Sequence, residues 1–193
     1  MGSTASRHAP RPASGLFADP RPIETVADMF ANVWQVGYVA TDLDRAMAEA
    51  AQTLGLEHCI EVPTDTAEFV VDGEVRPWET RIAMGSRGGL IVEIIEPVGG
   101  EVGFYRDYLP QDGSYGLRLH HLAAFMEPGD EAWAAMEGVL AGAGLKVDSL
   151  VLIPGRVRAG YVDTSAQLGH WMEICQLQPD DIATFTGIVR DSS

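Results

Sequence analysis

Residues 33–40 read VWQVGYVA, a pattern that predicts a strand with Trp34, Val36 and Tyr38 on one face and Gln35, Gly37 and Val39 on the other. The Thr41-Asp42-Leu43-Asp44 segment offers capping side chains ahead of an Ala-rich helix over residues 43–53, which Gly55 ends. Short β-rich runs follow at 59–62, 69–71, 80–84 and 90–95, with turn signals around Asp72-Gly73 and Gly88-Gly89. The order is strand, helix, then several strands.

That order starts again near Leu119. LHHLAAF predicts a strand, Pro128-Gly129-Asp130 precedes a helix over 131–141, and Gly142 to Gly144 closes it. Runs at 146–153, 158–163 and 171–177 complete the second set, and the spacing from Gln35 to Glu93 nearly equals that from His121 to Glu173. A repeat of this length is too long for a solenoid unit. The pattern predicts an α+β fold of tandem βαβββ modules over 31–98 and 118–178, whose curled mixed β-sheet encloses a cleft. Residues 1–30 read as a flexible amino-terminal arm, 99–117 as a linker and lid, and 179–193 as a terminal amphipathic helix with Ile182, Phe185, Ile188 and Val189 at helical spacing.

Two carboxylates break this apolar pattern. Glu93 interrupts Ile91-Val92-Glu93-Ile94-Ile95 and Glu173 interrupts Trp171-Met172-Glu173-Ile174-Cys175, both of which otherwise read as doubly buried strands. Burial without a partner costs several kcal/mol, on the order of 2–7 even for neutral polar groups. One divalent cation would compensate both acids, with His121 supplying a nitrogen and Gln35 an amide oxygen from the matching first strands. The set suits Zn, Ni, Co, Fe or Mn. Alignment of the repeats selects His121 over its neighbour His120, which is left to pack outward or to bond a backbone carbonyl; a register slip of one residue would exchange the two. Glu96, beside the strand-ending Pro97, is expected to face solvent.

Composition narrows the partners. Thirteen basic against 28 acidic residues leave a net charge of −15, a field that repels phosphate backbones and disfavours a polyanionic coenzyme unless arginines such as Arg106 and Arg118 counter it. Nucleic acid is not an expected partner. No apolar run is long enough for a membrane span. Cys59 and Cys175 are too few for a disulfide framework, so a reducing, cytoplasmic setting is expected. A transit peptide in the arm is argued against by Asp19 and the prolines.

QVGYVATDLDRAM with Leu54-Gly55, IVEIIEP, LHHLAAF and GHWMEICQ together resemble the vicinal oxygen chelate superfamily, the glyoxalase and bleomycin-resistance fold, from about Val33 to Leu177. The resemblance implies one metal held between paired modules, at positions matching Gln35, Glu93, His121 and Glu173, a combination similar to that of eukaryotic-type glyoxalases. Gln35 departs from the many bacterial relatives with His at that position, and it argues against an extradiol dioxygenase. What the resemblance implies is a metal-dependent isomerase, epimerase or lyase that removes a proton beside a carbonyl of a small substrate chelating through two neighbouring oxygens. Glu173 is then the base and Glu93 the second acid.

Tyr105, Arg106 and Tyr108 of the linker, with His170 and Cys175, are the candidate substrate contacts. Against that reading, the linker aromatics would only anchor the segment, His170 would be an exposed loop residue and Cys175 a small core residue. A homodimer is the expected assembly, with the cleft built within one chain or across two. The competing function is a non-catalytic small-molecule binding protein of the bleomycin-resistance type.

Overall fold

The protein is described by a computed structural model covering residues 20–190. The expected arm lies outside the described residues up to residue 19, as do residues 191–193 of the expected tail. In chain order the elements are α1 (Val26–Ala31), β1 (Val33–Ala40), α2 (Leu43–Thr53), β2 (Glu57–Val62), β3 (Glu68–Val71), β4 (Glu74–Arg76), β5 (Trp78–Arg87), β6 (Leu90–Gly100), α3 (Gly103–Arg106), β7 (Leu117–Phe125), α4 (Asp130–Gly142), β8 (Ser149–Ile153), β9 (Val157–Val162), α5 (Ser165–Leu168), β10 (Trp171–Leu177) and α6 (Pro179–Arg190). The predicted helix over 43–53 forms with those bounds, its Asp42 side chain accepting from Arg45 N at 3.0 Å.

The described strands form one curled sheet in the order β2-β5-β6-β1-β7-β10-β9-β8-β3-β4. Within each half, the first and last strands pair in parallel, β1 with β6 and β7 with β10. The halves join through the antiparallel β1–β7 pair, which places Gly37 opposite His121. The two modules therefore share one sheet within a single chain.

Parallel pairs at the centre of a sheet need cover on both faces, hence their apolar sequences. On the outer face, Leu43, Ala46 and Ala50 of α2 bury against Ala83, Val92 and Ile94. Trp133, Met136 and Leu140 of α4 do the same against Ala124, Met172 and Ile174. Alternation then turns Glu93 and Glu173 to the inner face. That face is lined by two further apolar clusters: Trp34, Ala123, Phe125, Ala159, Cys175 and Leu177 in one, and Val39, Ile82, Ile95 and Tyr161 with the linker's Val102, Tyr105 and Leu109 in the other. A register irregularity between Val33 and Gln35 lets Trp34 join the inner cluster rather than the outer face assigned to it by strict alternation.

Two segments close the cleft. The β3–β4 hairpin leaves the first module and pairs its β3 with β8, the outer strand of the second, so the sheet curls far around the cleft. Helix α6 crosses from the second module to lie against β5 of the first, with Ile182 packed on the inner cluster around Trp34 and Leu177. Its first turn is held by Arg156, whose Nε donates to Asp181 Oδ1 at 3.0 Å. Among the described residues no helix is long and apolar enough to cross a membrane.

Candidate metal centre

Four adjacent strands at the middle of the sheet each contribute one side chain to a single point on the inner face: Glu93 from β6, Gln35 from β1, His121 from β7 and Glu173 from β10. His121 Nε2 lies 3.2 Å from Glu93 Oε2 and 3.2 Å from Glu173 Oε2. Gln35 Nε2 lies 3.2 Å from Glu93 Oε2, 3.4 Å from Glu173 Oε2 and 3.4 Å from His121 Nε2. All four residues are buried, His121 completely.

These spacings are those of a coordination shell. Ligand atoms about 2.1 Å from a common ion, at angles between a right angle and the tetrahedral angle, stand roughly 3.0–3.4 Å apart. Two carboxylates and an imidazole are also the donor chemistry that borderline divalent ions accept. The Gln35 amide turns its nitrogen toward the acids, and a half-turn about its last bond puts Oε1 there instead, an exchange open to any such amide. The residues therefore fit a divalent cation. Among the described residues, Glu93, His121 and Glu173 form a cluster able to hold one.

The electrostatics agree. Burial, and after it the nearby charge of Glu173, pushes the Glu93 carboxyl above its usual range, while His121 pulls the other way. For His121, burial opposes a charge, but the Glu173 and Glu93 carboxylates win and raise the imidazole to about 9. A proton on His121 thus occupies the place of a cation between the two carboxyl groups. His120 is the opposite case: burial and the neighbouring His121 hold it down to about 2, against a bond to Phe104 O, so it stays neutral.

Gly37 makes room for the imidazole. A Cβ built there would lie 1.9 Å from His121 Cε1, so the ring rests directly on the backbone of β1. Tyr161 meets the same ring edge-on, with centroids 5.5 Å apart and planes at 89°.

Beside these four side chains lies a cavity of about 110 Å³ lined by Trp34, Ile82, Met84, Ala159, Tyr161 and Cys175 among others. Of the five candidate substrate contacts, Cys175 reaches this wall. Tyr105 is fully buried and donates its hydroxyl to Tyr161 Oη at 3.1 Å. Arg106 bonds Val98 O from an exposed position, Tyr108 sets its ring edge-on to His120, and His170 Nδ1 sits 2.8 Å from Trp171 O. Glu96 turns to the outer face, where it accepts from Arg81 and from Leu43 N. Sequence reasoning missed Tyr161, Trp34 and the role of Gly37. Tyr161 was findable, since it sits directly across from Glu173 in the β9–β10 pair and so shares its face.

No protein-family model and no curated protein matches the chain. Solved structures do. Methylmalonyl-CoA epimerase from Mycobacterium tuberculosis is 17% identical, with 79% of this chain and 91% of that one covered at a TM-score of 0.50. A hypothetical protein from Bacillus halodurans C-125 is 14% identical, with 76% and 94% covered at a TM-score of 0.51. The likeness is one of fold: the protein has the glyoxalase-like architecture of paired βαβββ modules in a curled sheet, as its sequence led us to expect.

Proposed function

We propose that the protein is a metal-dependent isomerase, epimerase or lyase of the glyoxalase-like type, acting by proton transfer next to a carbonyl of a small chelating substrate. One observation carries this reading: Gln35, Glu93, His121 and Glu173 converge with nitrogen and oxygen atoms 3.2–3.4 Å apart beside a cavity. A divalent cation held there would supply Lewis-acid polarisation of a carbonyl. The chain's own residues do the rest. Glu173 accepts the proton from the carbon next to the carbonyl. Glu93, on the strand across from it, returns a proton in an epimerase-type exchange. The apolar wall keeps bulk water from both carboxylates. A cavity of about 110 Å³ suits a short acyl or hydroxyacyl group, well below the roughly 300–1,000 Å³ of drug-sized sites.

The fold neighbour from Mycobacterium tuberculosis makes methylmalonyl-CoA the first substrate to try, followed by small α-hydroxycarbonyl and β-keto acids. The metal is taken from Zn, Ni, Co, Fe and Mn. All four proposed ligands belong to one chain, so the proposed homodimer would carry two complete centres. Two free cysteines go with the proposed cytoplasmic setting. The test is exchange of the substrate's acidic C–H for deuterium in D2O, followed by proton NMR with metal-loaded protein. Exchange that stops on chelation supports the proposal. Ligand binding that chelators leave unchanged, with no exchange of any of these compounds, would instead establish the sequestering protein.

A further inference from the structure

His120 sits beside the centre yet outside it, and its ring is fully buried with both nitrogens engaged. Nδ1 lies 3.1 Å from His121 Nδ1, and Nε2 lies 3.2 Å from Phe104 O. Trp171 stacks on the ring at 6.1 Å and 10°, while Tyr105 and Tyr108 close on it with centroids 4.9 Å away. The ring therefore has little freedom to turn.

These contacts leave one arrangement of protons. His121 presents Nε2 to both carboxylates, so a neutral His121 that ligates through Nε2 carries its hydrogen on Nδ1. That hydrogen points at His120 Nδ1, which must accept it. His120 then carries its own hydrogen on Nε2, where the Phe104 carbonyl can only accept. Building on the metal reading above, we propose that His120 is a positioning residue: it fixes the tautomer and orientation of His121 as an Nε2 ligand and ties the centre to the backbone of the 99–117 linker. Phe104 is itself stacked on Phe69 of the β3–β4 hairpin, with centroids 5.8 Å apart and planes at 2°. The segment that closes the cleft and the ligand at its floor are thus joined through one imidazole. Partners of this kind typically contribute 10–100-fold in metal affinity.

The experiment is a Zn²⁺ and Co²⁺ titration of wild type, His120→Phe and His120→Asn against a competing chromophoric chelator, with the visible spectrum of bound Co²⁺ recorded. Phe keeps a flat ring in the aromatic box but removes the acceptor, and Asn restores an acceptor oxygen near the Nδ1 position. Affinity in His120→Phe should fall 10–100-fold with an altered Co²⁺ spectrum, and His120→Asn should recover most of it. Equal affinity in wild type and His120→Phe, or a His120→Asn as weak as His120→Phe, overturns the proposal while the metal reading stands. Wild type that takes up neither ion overturns the metal reading itself. Should the variants not fold, nitrogen-15 NMR of Zn²⁺-loaded wild type decides: the relay requires hydrogen on His121 Nδ1 and on His120 Nε2, and hydrogen on His120 Nδ1 refutes it.

Discussion

Gly37 lies flat beneath the imidazole of His121, so close that a methyl group at that position would occupy the ring's own space. Strand β1 thus contributes to the centre twice, by the amide of Gln35 and by the side chain it lacks two residues later. Replacing Gly37 with Ala should cost about 1–3 kcal/mol by overpacking. It should also lower metal affinity at least roughly tenfold, by analogy with other disturbances of ligand orientation. Urea unfolding and a Zn²⁺ titration check the two effects separately.

Glu173→Gln keeps size and hydrogen bonding but cannot take up a proton. We expect it to slow deuterium exchange by about 10²–10⁴-fold. Exchange at the wild-type rate would remove Glu173 from the role of base. Glu93→Gln tests the second acid in the same assay.

The metal-free protein should lose stability above neutral pH. His121 has a folded-state value of about 9 against an ordinary 6.5, so its contribution is complete below pH 6.5 and is lost as pH rises toward 9. The loss should approach about 1.4 kcal/mol per pH unit for one proton. Glu93, raised above its ordinary 4.5, adds to the same trend as pH rises. His120 acts in the opposite window: held at about 2 when folded, it stabilises above pH 6.5 and loses that contribution as pH falls. Urea midpoints of chelator-treated protein at pH 6.5 and 9 test the sign. Loading with Zn²⁺ should suppress the alkaline loss, because the cation replaces the proton on His121.

Phe69 is buried between Trp78 and Phe104, with centroids 5.9 and 5.8 Å away. Phe69→Ala should destabilise by about 3–5 kcal/mol, read from the urea midpoint. A change below 1 kcal/mol would mean that the hairpin is not part of the closed cleft.

How far the sequence could be read depends on the range of the interactions. Glu93 and Glu173 were legible because a carboxylate inside an apolar strand is locally anomalous, and repeat alignment then carried the argument to Gln35 and His121. The helix over 43–53 was legible from local signals alone, the capping side chains at 41–44, the alanines and Gly55. The partner of β3 was not, because nothing in Phe69-Val70-Val71 says whether it pairs within its own module or with β8 about 80 residues on. The position of Trp34 depends on a register irregularity that alternation cannot foresee. Gly37 read as a strand glycine until the ring above it was known.

The most direct measurement is the metal content of purified protein after dialysis, with the ion located by anomalous scattering in a crystal. One divalent cation per chain, bonded to Gln35, Glu93, His121 and Glu173 at about 2.0–2.3 Å, is the predicted result. Protein that binds no divalent ion, or binds one away from these four side chains, would contradict it.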